Sequence, residues 1–143
     1  MLGQMLKTAR EQKKFMEKLQ DNETFYNFAP VKRKIQTYGG YFETFMASLD
    51  DKAQEKVLYG LLLLRTQERL SAKFVKHLRD GIYELRTEYG GNIYRVFFIF
   101  DNGSVVVLFN GFQKKTQKTP PSEIDEAIKI KEAYYADKQS QNH

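Results

Sequence analysis

The sequence contains no cysteine and only two histidines, His77 and His143, among 143 residues. Without thiols it has no disulfide framework and no thiolate metal site, a composition that suits the cytoplasm. Two histidines do not make a zinc site without acidic help. Glu43, Asp50, Asp51 and Asp101 do not fall at the spacing of a carboxylate cluster, which argues against a two-metal nuclease. Long apolar runs are missing too: the longest, Val57 to Leu64, is far too short to cross a bilayer and reads as a buried helix. The start of the chain has no charged, apolar and small-residue leader. No phosphate-binding or dinucleotide loop occurs, because Gly90-Gly91 separates two strand-like runs instead of preceding a helix. The expectation is a cytoplasmic protein with no cofactor, no metal and no membrane partner.

What is present is enough for one folded domain: 41% hydrophobic and 14% aromatic residues in a chain long enough to bury a core. The net charge of +5 favours an anionic partner, and nucleic acid before membrane.

The organisation reads from the spacing of apolar residues. Leu2, Met5, Leu6, Ala9, Met16 and Leu19 recur at roughly helical intervals, predicting an amphipathic helical extension over residues 1–24. The domain proper is expected over 25–136, with a disordered tail over 137–143. Phe25 to Tyr38 reads as a first strand, its alternation of Val31, Arg33 and Ile35 with Lys32, Lys34 and Gln36 marking a sheet edge. Gly39-Gly40 ends it. Phe42, Phe45, Met46 and Leu49 then mark a short helix. Asp50 or Asp51 caps a longer helix from about Lys52 to Glu68, whose Val57, Leu58, Leu61, Leu62 and Leu64 are core positions. Ser71 to Asp80 is a cationic connector holding Lys73, Lys76, His77 and Arg79. After Lys118, the Thr119-Pro120-Pro121 segment stops the last strand, and Ser122 with Asp125 resembles a capping box for a final helix facing the domain through Ile124, Ala127, Ile128, Tyr134 and Tyr135.

Between connector and final helix, residues 81–121 carry three runs rich in β-branched and aromatic residues. They are separated by Tyr89-Gly90-Gly91-Asn92 and Asp101-Asn102-Gly103-Ser104, both with tight-hairpin chemistry. Two-residue loops at Gly90-Gly91 and Asn102-Gly103 would set Arg86 opposite Arg95 and Arg95 opposite Asn110, with Lys114 returning to the same face. That face would also carry Ile82, Phe97, Ile99, Val106 and Leu108. Like charges directly across a ladder are destabilising. Pairing Arg86 with Arg95 therefore calls for neutralisation, by Glu84 on the diagonal or by an anionic ligand such as phosphate.

The order strand, helical hairpin, three-strand meander and C-terminal helix, with YELR, IYRVFF and GFQKKTQKTP in those places, resembles the RelE/ParE superfamily of toxins from type II toxin-antitoxin systems, most closely the phage-derived HigB-like branch. The resemblance covers roughly Tyr26 to Tyr135. It implies a compact α+β domain, an antiparallel sheet of about four strands packed on a helical hairpin and a C-terminal helix. It further implies a ribosome-dependent, metal-independent endoribonuclease, or mRNA interferase, monomeric when alone and neutralised by an antitoxin carrying a DNA-binding domain. Its partners would then be the ribosome and mRNA. The Arg of the LR pair falls on Arg86, that of the YR pair on Arg95, and the basic pair after the last long strand on Lys114 and Lys115. In this family the second of these arginines contacts the scissile phosphate. Where RelE-like members place a lysine just before the LR pair this chain has Glu84, and Tyr134 and Tyr135 are the two counterparts for a tyrosine near the family's C-terminus.

RNA cleaves itself when its 2′-hydroxyl is deprotonated and the phosphorane is stabilised, so a protein must supply positioning, a base and cations. Arg95 and Arg86 are assigned to the phosphorane, with Lys114 or Lys115 sharing that role or acting as base or acid. A lysine base needs a pKa well below about 10.4. His77 and Glu84 compete for acid-base work, Glu84 doubling as a salt-bridge partner of the arginines. Tyr94 and Phe112 offer rings for base stacking, with Asn110, Lys73 and Lys76 as further RNA contacts. Two other readings stay open: a ParE-like, non-catalytic binder of DNA gyrase, and a relative that keeps the fold without activity.

Overall fold

The computed structural model describes residues 31–115 and 117–141. The expected N-terminal helical extension, and the part of the first strand before Val31, lie outside the described residues.

β1 (Lys34–Thr37) leads into two helices, α1 (Tyr41–Ala47) and α2 (Asp51–Thr66), followed by β2 (Val75–His77), β3 (Tyr83–Tyr89), β4 (Asn92–Asp101), β5 (Val105–Lys114) and α3 (Pro121–Gln141). The strands form one sheet in the order β1-β5-β4-β3-β2. β1 runs parallel to β5 and the other pairings are antiparallel. The architecture is α+β as expected, with five strands instead of four. The additional strand is β2, drawn from the cationic connector. Its three residues, Val75, Lys76 and His77, are too few to display an alternation, and it is held by pairing to Tyr83–Leu85.

The helices cover both faces. Against α1 and α2 lie Leu85, Tyr94, Val96, Phe98, Val106 and Leu108, packed on Phe42, Met46, Val57, Leu58, Leu61 and Leu64. On the opposite face Ile82, Phe97, Ile99, Val107 and Phe109 pack on Ala127, Ile130 and Tyr134 of α3. Those α3 residues recur at i, i+3 and i+7, the spacing of one helix face.

Both ends of α2 are satisfied by side chains. Asp50 caps α2, its carboxylate accepting from the Ala53 amide at 2.8 Å. At the other end Arg33 donates to the carbonyls of Leu64 at 3.0 Å and Glu68 at 2.9 Å, placing a cation on the negative end of the helix dipole. α3 begins two residues earlier than a capping box at Ser122 would set it: Pro121 is its first residue, where a missing N–H is harmless. It also continues through Asp137 to Gln141, so most of the expected disordered tail is helical. Tyr134 donates to Asp101 at 2.6 Å and Lys138 donates to the same oxygen at 2.7 Å, while Tyr38 donates to Asp137. These bonds hold the last turns of α3 on the sheet.

The first hairpin has the expected register. Gly90 and Gly91 both take positive φ, 60° and 78°, and Tyr89 pairs with Asn92 across a two-residue turn, so Arg86 stands opposite Arg95. The second hairpin differs. Asp101 pairs with Val105 across three residues, and Phe109 and Asn110 together bulge opposite Phe97, between the Val96–Gly111 and Phe98–Leu108 pairs. Each feature slides the ladder by one residue, so Arg95 faces Phe112 and not Asn110. The single-residue slip beyond the bulge also puts Val107 and Phe109, not Val106 and Leu108, on the face of Arg95.

Candidate functional site

β3 and β4 present Glu84, Arg86 and Arg95 on the α3 face, because alternate residues of a strand share a face and Arg86 pairs with Arg95. Glu84 lies between the two cations. Its Oε1 is 3.1 Å from Arg95 Nε and its Oε2 is 3.5 Å from Arg86 Nε. Glu84 and Arg95 are both 0% exposed. The repulsion inherent in facing arginines is thus relieved by a buried carboxylate, as the diagonal placement of Glu84 anticipates. Arg95 also stacks over Phe112, its guanidinium carbon 5.6 Å from the ring centroid. Burial pushes the Arg95 guanidinium below its ordinary value; Glu84 pulls the other way and the charge of Arg86 adds to the lowering.

The chain leaving β5 folds back over this triad. Thr119 donates its hydroxyl to Glu84 Oε1, and Arg86 donates from Nη2 to the Gln117 carbonyl. Glu84 is therefore enclosed by Arg95, Arg86 and Thr119, whereas Arg86 keeps part of its side chain open to solvent. The open part lines a cleft of about 530 Å³ between β2 and the 117–119 segment. Lys76, Arg79 and Lys118 line it with Arg86, and His77 borders it. Four cations around one concavity concentrate positive potential there, the kind of field that attracts a polyanion. Arg79 closes the end next to α3, bonded to Asp80 at 3.1 Å and to Asp125, and the hydrogen bond to Asp125 with its negative charge raises its pKa.

The site residues expected from sequence separate into groups. Arg86 and Lys76 meet in the cleft, with Lys76 opposite Glu84 in the β2–β3 ladder. Arg95 and Glu84 form the buried layer beneath it. His77 turns its ring onto Tyr83, with centroids 4.9 Å apart. Lys114 is exposed at the end of β5 opposite Ile93. Lys115 lines a separate depression of about 330 Å³ beside Gly90-Gly91, joined to the cleft through Gln117.

The other four expected RNA contacts do not line the cleft. Tyr94 is 4% exposed in the α2-side core, so its ring has no open face for a base. Asn110 is carried by the bulge to a depression lined by Tyr41 and Phe45 of α1, away from the arginines. Phe112 is half-buried beneath Arg95. Lys73 lines a groove on the α2 side of β3.

Thr119, Gln117, Lys118 and Arg79 are polar cleft residues that the sequence reading did not assign to the site. The signal for Lys118 lay in the basic run after β5. Thr119 gave none, because its partner Glu84 is 35 residues away. Among the described residues, no three or more His, Asp or Glu side chains converge as a metal site, and no helix is long and apolar enough to cross a membrane.

Comparison with protein families matches the model of the phage-derived Gp49-like proteins (DUF891) to residues 44–132, from within α1 into α3. That range includes every cleft residue. No curated protein matches the chain.

Proposed function

The chain belongs to the phage-derived Gp49-like family, a RelE/HigB-type toxin-like family whose members imply a cognate antitoxin, and from that membership we propose a ribosome-dependent endoribonuclease of the HigB-like kind, cutting mRNA by attack of its own 2′-hydroxyl. The observation that carries this reading is the cleft in which Arg86, Lys76, Arg79 and Lys118 surround one space above the buried Glu84–Arg95 pair.

In the proposed reaction the ribose 2′-oxygen bonds to phosphorus and the bond from phosphorus to the 5′-oxygen breaks, leaving a 2′,3′-cyclic phosphate and a 5′-hydroxyl. The negative charge that grows on the phosphorane faces Arg86, whose guanidinium is fixed by Glu84 and the Gln117 carbonyl before RNA arrives. Such preorganised charge is the main source of rate enhancement in phosphoryl transfer of this type. Lys76 and Lys118 hold flanking phosphates. Arg95 acts through Glu84, which it shares with Arg86, and is a positioning residue for the cleft. Lys114 and Lys115 extend the basic surface toward the first hairpin. Glu84 is enclosed beneath the cleft, and the His77 ring lies against Tyr83 on the other side of the sheet, which leaves a lysine of the basic surface to accept the 2′-hydroxyl proton and return one to the 5′-oxygen.

The test is induced expression of wild type and Arg86→Ala in a bacterial host, with primer extension on transcripts from translating cells. Cuts within translated codons that disappear in Arg86→Ala are expected. Undiminished cutting by Arg86→Ala would overturn the assignment of that residue. Growth arrest without any cuts would replace the ribonuclease reading with a gyrase-type protein target.

A further inference from the structure

Arg86 lines two clefts, not one. The second, about 320 Å³, lies on the α2 side of β3 and is lined by Lys56 and Tyr59 of α2, Lys73 and Phe74 ahead of β2, and Arg86 and Glu88. It exists because β2 pairs with β3 only over Tyr83–Leu85, so beyond Arg86 the outer edge of β3 has no neighbouring strand. Its floor is shallow at Gly60, where an added Cβ would stand 3.3 Å from Thr87 Oγ1.

We propose that this second cleft is a subsite for the single-stranded RNA that continues beyond the cleavage cleft, with Tyr59 stacking on a base and Lys56 and Lys73 holding backbone phosphates. The inference rests on the ribonuclease reading and extends it. Tyr59 is 60% exposed, so its ring contributes little to the core. Lys56 stands three residues before it, on the same side of α2. Three cations surround the groove against one acid, Glu88. Cations that follow a backbone, beside an aromatic face open to any base, are the components of sequence-tolerant single-strand binding. Arg86 lines both clefts where the outer edge of β3 is open, so a strand that leaves the first cleft can turn round this edge toward Tyr59.

Binding by the purified full chain tests this, using fluorescein-labelled 2′-O-methyl RNA of three and eight nucleotides, which cannot be cleaved by 2′-hydroxyl attack. For the wild type the octamer is expected to bind at least tenfold more tightly than the trimer at low salt. Tyr59→Ala should abolish most of that gain with length, a loss of about tenfold for one stacked base. Lys56→Ala with Lys73→Ala should lower the slope of log affinity against log salt by about 0.7 per lysine. Arg86→Ala should weaken both RNAs. If Tyr59→Ala and the double lysine variant keep the full gain with length while Arg86→Ala loses affinity, the subsite is wrong and the cleavage cleft stands. If Arg86→Ala also binds as wild type, the reading on which the subsite rests fails as well.

Discussion

Glu84 lies 3.1 Å from Arg95 with neither side chain reaching solvent, and the same carboxylate is 3.5 Å from Arg86, which does reach the cleft. One buried anion therefore couples the interior of the sheet to its functional surface. Removing a single partner leaves a charge stranded in a low-dielectric site, which costs about 3–5 kcal/mol. Glu84→Ala is expected to lose stability in that range by urea denaturation. The double change Glu84→Leu with Arg95→Met should be much less destabilising than the sum of the single changes, because the two fully buried charges leave together and Arg86, which loses its carboxylate, keeps access to solvent. Additive losses would show that the pair is not energetically coupled.

Thr119 transmits this arrangement to the loop. Its hydroxyl bond to Glu84 pins the segment whose Gln117 carbonyl receives Arg86. Thr119→Val keeps the shape and removes the donor, so stability should fall by about 1.5–3 kcal/mol, the range for a hydrogen bond to a charged group. RNA binding and growth inhibition should weaken with it, and Thr119→Ser should restore both. A stability loss with undiminished RNA binding would confine Thr119 to holding the fold.

How much of this was readable beforehand depended on how local the information was. The Arg86–Arg95 pairing follows from Gly90-Gly91, because two consecutive glycines readily supply the positive φ that both positions of a type I′ two-residue turn require. The partner of Arg95 on β5 did not follow. Asn102-Gly103 also takes positive φ, yet the turn includes Ser104, and the bulge at Phe109-Asn110 has no local signature. Those two one-residue slips moved Asn110 off the site and brought Phe112 under Arg95. β2 was hidden because a three-residue edge strand is defined by its neighbour and not by its own pattern. The enclosure of Arg95 was hidden too, since part of its cover comes from a loop that follows β5, and strand alternation alone suggested a cation at an open sheet end.

The attachment of α3 should depend on pH at both extremes. Hydrogen bonds from Lys138 and Tyr134 hold the Asp101 carboxyl below its usual range. A lowered folded pKa gives stability that is present above the unfolded value of about 3.9 and is lost as the pH falls through the folded one. Burial, and then the bond to Asp101, push the Tyr134 hydroxyl up to about 12. A raised folded pKa gives stability that is present below the unfolded value of about 10 and is lost as the pH rises through the folded one. Asp101→Asn should therefore reduce stability at neutral pH and flatten the acid limb. Tyr134→Phe should cost about 1.5–3 kcal/mol at neutral pH and flatten the alkaline limb. Denaturation midpoints measured from pH 3 to pH 11 check both, and unchanged limbs would remove these groups from the pH response.

Gly111 meets α1 at the bulge, where β5 changes register. A Cβ at that position would stand 2.1 Å from Phe45 Cδ2, far inside contact distance, so the absence of a side chain is what lets the Phe45 ring lie across the strand. Phe45 packs against the α2-side core, which limits how far its ring can withdraw. Gly111→Ala is expected to destabilise the domain by about 1–3 kcal/mol, the usual range for forcing an extra methyl into a filled space. Phe45→Ala removes the obstructing ring and has its own cost in lost packing. Adding Gly111→Ala to Phe45→Ala should then cost clearly less than adding it to the wild type, a non-additivity that thermal or urea unfolding of the four proteins would measure. Equal costs in both backgrounds would mean that the bulge, and not the ring, requires glycine. RNA affinity should stay at the wild-type level in every variant that folds, because Phe45 and Gly111 line neither the cleavage cleft nor the groove at Tyr59.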